Sequence, residues 1–209
     1  MSLHPPEPAL LTVDESILER RSIRHFRPDP VPRRLIAELL EHACWAPSPH
    51  NSQPWRFTVL FRRDDKERLA RAMAERLEAE LRARRAPDEE IRRQVDRSHE
   101  RISTAPIAVL CSLTPEGLVP HRDERMRSLE WDMAIQSVGA VLQSVFLLAY
   151  DRGLGTCWMA APMYCPDVVR DALSLPPTYE PQALVLMGYP AREGRKRERR
   201  PVAGVIDLR

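Results

Sequence analysis

Between Ala46 and Phe57 the chain reads A-P-S-P-H-N-S-Q-P-W-R-F, and Pro47, Pro49 and Pro54 forbid a helix interior there. Any fold for this sequence must change element type at that point. Upstream, Pro32 to Trp45 reads as a helix, with Pro32 in its first turn and Leu35, Ile36, Leu39, Leu40 and Ala43 as an apolar stripe. Downstream, Arg56 to Phe61 reads as a strand. Ser48, His50, Asn51, Ser52 and Gln53 lie between the prolines, and the amides of Asn51 and Gln53 each offer a donor and an acceptor. Such a rim suits a heterocycle alternating N–H and C=O; the same residues also suit a proline-stiffened turn capping its neighbours.

The 209 residues are read as one domain, 1–209, with a Pro-rich N-terminal arm at 1–11. A net charge of +2 gives no electrostatic reason for nucleic acid or an anionic membrane, which leaves small molecules or another copy of the chain as partners. Cys44, Cys111, Cys157 and Cys165 have neither C-x-x-C spacing nor a disulfide pattern, so no metal site is expected. The arm shows no basic-then-apolar leader, and the expected location is cytoplasmic.

Thr12-x-x-Glu15 has the form of a capping box opening a short helix, with Ile17 and Leu18 expected on its inner side. That helix delivers Arg20-Arg21-Ser22-Ile23-Arg24, a cluster able to grip a phosphate or merely to complement a helix dipole. The stretch 62–101 is a charged helical insert of thirteen basic and eleven acidic residues, broken at Ala86-Pro87; its mixed signs fit a solvated face or a lid. Ile107 to Leu113 reads as an interior strand, and His121 to Arg125 as a charged surface loop or substrate rim. Trp131 to Tyr150 is apolar nearly all round, yet Asp132, Gln136, Ser137, Gln143 and Ser144 interrupt it too often for a membrane span. Its burial is expected from a sheet on one side and a partner subunit on the other. Gly153 and Gly155 end it, Thr156 to Pro162 follows, Pro166 to Leu173 forms a short helix, and Ala183 to Met187 a strand. Arg192 to Arg200 is a basic tail.

Together, R-R-S-I-R at 20–24, A-P-S-x-x-N-S-Q-P-W at 46–55, G-L-G-T-C-W at 153–158 and R-x-R-R-P-V at 197–202 resemble the nitroreductase family of FMN-dependent oxidoreductases, in order and spacing along most of the chain. The resemblance implies an α+β fold with a mostly antiparallel central sheet flanked by helices, an intertwined homodimer, and FMN at the subunit interface. By position, Arg20, Arg21, Ser22 and Arg24 look like phosphate and ribityl contacts, with Arg197 and Arg199 completing the phosphate site. Pro47, Ser48, Pro49, Asn51 and Gln53 look like flavin-ring contacts, some given by the second subunit. Cys157, Trp158, Met159 and Ala160 would line the other face, with a backbone N–H of Met159 or Ala160 near flavin N5.

The implied activity is hydride transfer from NAD(P)H through FMN to an electron-poor acceptor such as a nitroaromatic, quinone or enone, without a catalytic side chain. Met159 and Ala160 stand where many members have an acidic residue and a glycine, as in the subgroup that includes the flavin domain of deazaflavin-cofactor biosynthesis. V-V-R-D-A-L-x-L-P at 168–176 and E-P-Q-A-L-x-x-x-G-Y at 180–189 resemble that subgroup again, so a biosynthetic reductase of a deazaflavin-type precursor stays open. So does a flavin-binding protein without turnover.

Overall fold

A computed structural model describes residues 12–209; the arm at 1–11 lies outside the described residues. In chain order the elements are α1 (Val13–Glu19), α2 (Arg33–Ala43), β1 (Trp55–Leu60), α3 (Arg63–Ala83), α4 (Asp88–Thr104), β2 (Ile107–Leu113), α5 (Glu124–Asp151), β3 (Gly155–Met159), α6 (Pro166–Leu173) and β4 (Glu180–Gly188). The strands form one antiparallel sheet in the order β1-β2-β4-β3.

β2 lies inside that sheet and every one of its residues is buried, which is why it reads as an unbroken apolar run. Its alternate residues serve two cores. Val109, Cys111 and Leu113 face α2 and α5, joined by Val185 and Met187 of β4. Ala108 and Leu110 face α3, α4 and α6, joined by Leu184 and Leu186. The molecule is therefore three layers, with helices on both faces of the sheet.

The stretch read as a charged insert forms much of one layer. Leu69 and Met73 of α3 and Ile102 of α4 are buried against the sheet, while the polar faces carry ion pairs such as Arg76–Asp167 at 2.6 Å and Arg82–Glu78 at 2.8 Å. Buried Lys66 donates from Nζ to the carbonyls of Ala105 at 2.5 Å and Pro106 at 2.8 Å, tying the start of α3 to the end of α4.

Two apolar expectations differ within a single chain. In α1 it is Ser16 that is buried, whereas Ile17 and Leu18 are exposed, because the short helix turns its Ser16 side inward. Trp45, expected on a packed element, is 88% exposed. On α5, Met126, Leu129 and Ile135 are exposed on the side that the sheet and α2 do not cover, the side on which a partner subunit was expected. By length and composition α5 could cross a bilayer, but Val138, Val141, Leu142 and Val145 are packed into the core.

Candidate functional site

The sheet order puts the sequence-marked residues at two edges. β3 is one edge strand, and the segment leaving α1 runs beside it: Ser22 forms a parallel bridge with Thr156, and Ile23 N–H donates to Thr156 O at 2.8 Å. Further along, Arg27 N–H donates to Tyr189 O at 2.8 Å and Ala191 N–H to His25 O at 3.0 Å. Residues 20–24 are thus pinned between β3 and the chain leaving β4. Gly155 permits this approach, because a Cβ there would lie 2.7 Å from Cβ of Ile23.

Positive charge accumulates on that edge. The guanidinium of Arg20 stands 5.4 Å over the Phe146 ring, and Phe146 packs at 5.6 Å against Trp158. Burial, then the charges of Arg199 and Arg21, lower the pKa of Arg20, so the C-terminal tail brings Arg199 to this cluster. Gly194 of the same tail sits where a Cβ would fall 2.2 Å from Cβ of Arg21. Arg21 itself donates to the carbonyls of Leu18 at 2.6 Å and Arg20 at 2.7 Å. A cavity of about 1130 Å³ opens here, lined in part by Arg20, Arg21, Thr156, Tyr150, Arg192 and Lys196.

On the other side of β3, Arg24 approaches Arg101 of α4 and Cys157. Burial first, then Arg24, lowers the pKa of Arg101; burial raises that of the Cys157 thiol, against the opposing pull of Arg24 and Arg101. The sequence reading missed Arg101, one arginine among thirteen basic residues of a mixed-charge stretch, and no periodicity singles it out. Met159 ends β3 and Ala160 is exposed beyond it; among the described residues no strand lies outside β3 at these positions. Arg197 is exposed on the tail.

The polar loop lies at the opposite edge, ahead of β1. Ser48 Oγ accepts from the backbone N–H of Gln53 at 3.0 Å, and Gln53 Nε2 donates to Asn51 Oδ1 at 3.0 Å. Both residues are exposed, and the pairing leaves the amino group of Asn51 as a donor and the side-chain carbonyl of Gln53 as an acceptor. His50, Asn51 and Gln53 all have positive φ, at 54°, 53° and 44°. Backbone strain of this kind gathers where a surface is shaped for a ligand. Pro47 is exposed, and Ser48 and Pro49 are half-buried.

Trp55 pairs with Leu113 and Leu113 with Glu180, whereas Met159 pairs with Leu184, so loop and β3 terminus share one end of the sheet. Three strand spacings, roughly 14 Å, separate their edges. One chain therefore brings residues 20–24, Arg199, Arg101 and 157–160 together, and leaves residues 47–53 apart from them.

Comparison with known proteins gives the family. The family model described as "Nitroreductase family" matches residues 17–189. The chain is 31% identical over 221 residues to the "NADH dehydrogenase" of Thermus thermophilus, covering 94% of this chain and 96% of that protein. It is 33% identical over 180 residues to the "5,6-dimethylbenzimidazole synthase" of Rhodospirillum rubrum, covering 83% and 80%. A Desulfovibrio desulfuricans protein solved in complex with FMN superposes with a TM-score of 0.72 at 26% identity, covering 94% and 96%. With its four-stranded antiparallel sheet between two helical layers and its motifs in order along that sheet, this chain belongs to the nitroreductase family of oxidoreductases.

Proposed function

We propose that the protein is an FMN-dependent oxidoreductase that takes hydride from NAD(P)H and delivers it to an electron-poor acceptor of nitroaromatic, quinone or enone type. The observation that carries this reading is the guanidinium cluster on the β3 edge. Arg20 is held beside Arg21 and Arg199, whose charges oppose its own, with the ring of Phe146 beneath it. A phosphate dianion placed there converts mutual repulsion into charge-assisted hydrogen bonds. The donor set fits FMN.

Arg20, Arg21, Ser22 and Arg199 would hold the phosphate, with Arg197 joining from the tail. Arg24 and Arg101 would meet the next part of the ligand, and the backbone of 157–160 its planar face. Because Asn51 and Gln53 lie at the far edge, the ring contacts of 47–53 come from a second copy, with the cofactor between subunits. The uncovered apolar residues of α1 and α5 supply the surface such a homodimer would bury. FMN, when bound, supplies the hydride chemistry. The chain anchors it and presents donors to its rim, which requires no acid or base side chain.

The first test is the visible absorption spectrum of the purified protein, followed by stopped-flow mixing with NADH and NADPH. A yellow preparation bleached by either nucleotide supports the reading. A colourless protein that fails to take up added FMN, or a bound flavin that neither nucleotide reduces, overturns it.

A second reading is a biosynthetic enzyme acting on a flavin-derived or deazaflavin-type ring, favoured by the identity to a 5,6-dimethylbenzimidazole synthase. Tight binding of a deazaflavin beside FMN, with no turnover of simple nitroaromatics, would select it.

A further inference from the structure

Behind the polar loop, three successive backbone carbonyls are met from outside it. Ser52 O lies against Gly117, where a Cβ would sit 2.6 Å away and where φ is +85°. Gln53 O accepts from Arg56 Nη1 at 3.3 Å, and the same nitrogen donates to Trp55 O at 2.8 Å. Pro54 O accepts from Thr114 N–H at 2.8 Å. Arg56 is fixed in turn by Glu116, whose carboxylate pairs with Nη2 at 2.5 Å. The turn at 114–117 thus grips the exit of the loop from one side.

That turn is itself anchored to α5. Glu130, buried on the helix, accepts from Val119 N–H at 3.1 Å through one carboxylate oxygen and faces His121 Nε2 at 3.8 Å with the other. Within the loop, among the described residues, the three left-handed residues are supported by the Ser48–Gln53 and Asn51–Gln53 side-chain bonds and by two backbone bonds of the 3-10 turn, Asn51 N–H to Ser48 O and Ser52 N–H to Pro49 O, each 3.0 Å. Left-handed backbone in non-glycine residues persists only where the surroundings over-determine it. The surroundings here are the 114–117 turn and Arg56.

We infer that Gly117 and Arg56 are positioning residues for the flavin ring: they hold the His50–Gln53 backbone in its left-handed form and so aim the amides of Asn51 and Gln53. The inference rests on the FMN reading above. Gly117 is required twice over. Its φ disfavours a side chain, and the atom a Cβ would strike is a backbone oxygen, which no rotamer change can move aside. Alanine there must push Ser52, and with it both neighbouring amides, away from the ligand. Displacements on the order of 1 Å are enough to lose most of the benefit of a positioned group.

The test compares full-length wild type, Gly117→Ala and Arg56→Met. FMN affinity is read by fluorescence quenching, alongside the bound-flavin absorption spectrum, the flavin reduction potential and Tm. Both variants are expected to weaken FMN binding by roughly two- to tenfold, the loss associated with one neutral hydrogen bond. Both should also move the bound-flavin spectrum and potential toward free FMN, which a purely structural role would leave in place. Arg56→Met removes a partly exposed ion pair, whose loss costs little stability, so it decides alone if Gly117→Ala does not fold. Unchanged affinity, spectrum and potential in a folded variant, while wild type binds FMN, overturn the inference and leave the FMN reading standing. A wild type that binds no FMN takes both down together.

Discussion

Ile23 donates its amide hydrogen to the carbonyl of Thr156 at 2.8 Å, and this bond makes the arginine-rich segment after α1 an extension of the sheet's open edge. The residues proposed to meet the phosphate are therefore held by backbone pairing against β3, and their placement depends on how closely the two segments can approach.

Gly155→Ala should disturb both fold and ligand. The added methyl would meet Cβ and Cγ1 of Ile23, each at 2.7 Å, in a closely packed place. Overpacking of this kind costs about 1–3 kcal/mol. Thermal unfolding should show the loss, and FMN titration of the folded fraction should show weaker binding as residues 20–24 shift.

Arg24→Ala should weaken FMN binding by about 1.5–3 kcal/mol, or roughly 10- to 150-fold. Arg199→Ala should weaken it too, but with an opposite effect on the apoprotein. Because Arg199 lowers the pKa of Arg20, its removal relieves repulsion, and the ligand-free Tm should hold or rise. Flavin affinity equal to wild type in both variants would remove the arginines from the site.

Lys66→Met should destabilise the protein by about 1–3 kcal/mol for each carbonyl left without a donor; those carbonyls belong to Ala105 and Pro106. Burial, and next the charge of Arg63, lower the lysine pKa in the folded state. Between that lowered pKa and the ordinary lysine value the unfolded chain binds more protons, so wild-type stability should rise with pH through this window. Denaturant midpoints across alkaline pH should show the rise in wild type and its loss in Lys66→Met.

Asp123→Ala separates capping from chemistry. Asp123 accepts from the backbone N–H of Met126 at 2.9 Å as the N-cap of α5. Its loss should cost about 0.5–2 kcal/mol of stability, with kcat and KM for NAD(P)H oxidation unchanged. A collapse of kcat without a fall in Tm would instead make the segment ahead of α5, His121 to Asp123, part of the reaction.

The local signals of the chain were legible because they are local. The capping box of Thr12 and Glu15 forms as its spacing demands, Pro166 opens α6 at its first position, and Ala86-Pro87 separates α3 from α4. Ile107 to Leu113 sits inside the sheet, as an unbroken apolar run implies. Ile17 and Leu18 read as the inner side of α1 yet face outward in one chain, because periodicity reports an apolar face without naming what covers it. Arg101, Arg56 and Gly117 carry no signal in one dimension. Each matters through a neighbour distant in sequence: Arg24, the carboxylate of Glu116, and Ser52 O.

The sequence by itself determined most of the helices, the strands other than β3, and the residue types able to meet a phosphate and a heterocycle rim, since propensity, capping and motif spacing act over a few residues. Only the tertiary structure decided that Arg20–Arg24 and Cys157–Ala160 share the β3 edge while Pro47–Gln53 occupies the β1 edge. That separation follows from the strand order β1-β2-β4-β3, which is set by burial of apolar faces between two helical layers and by long-range backbone pairing.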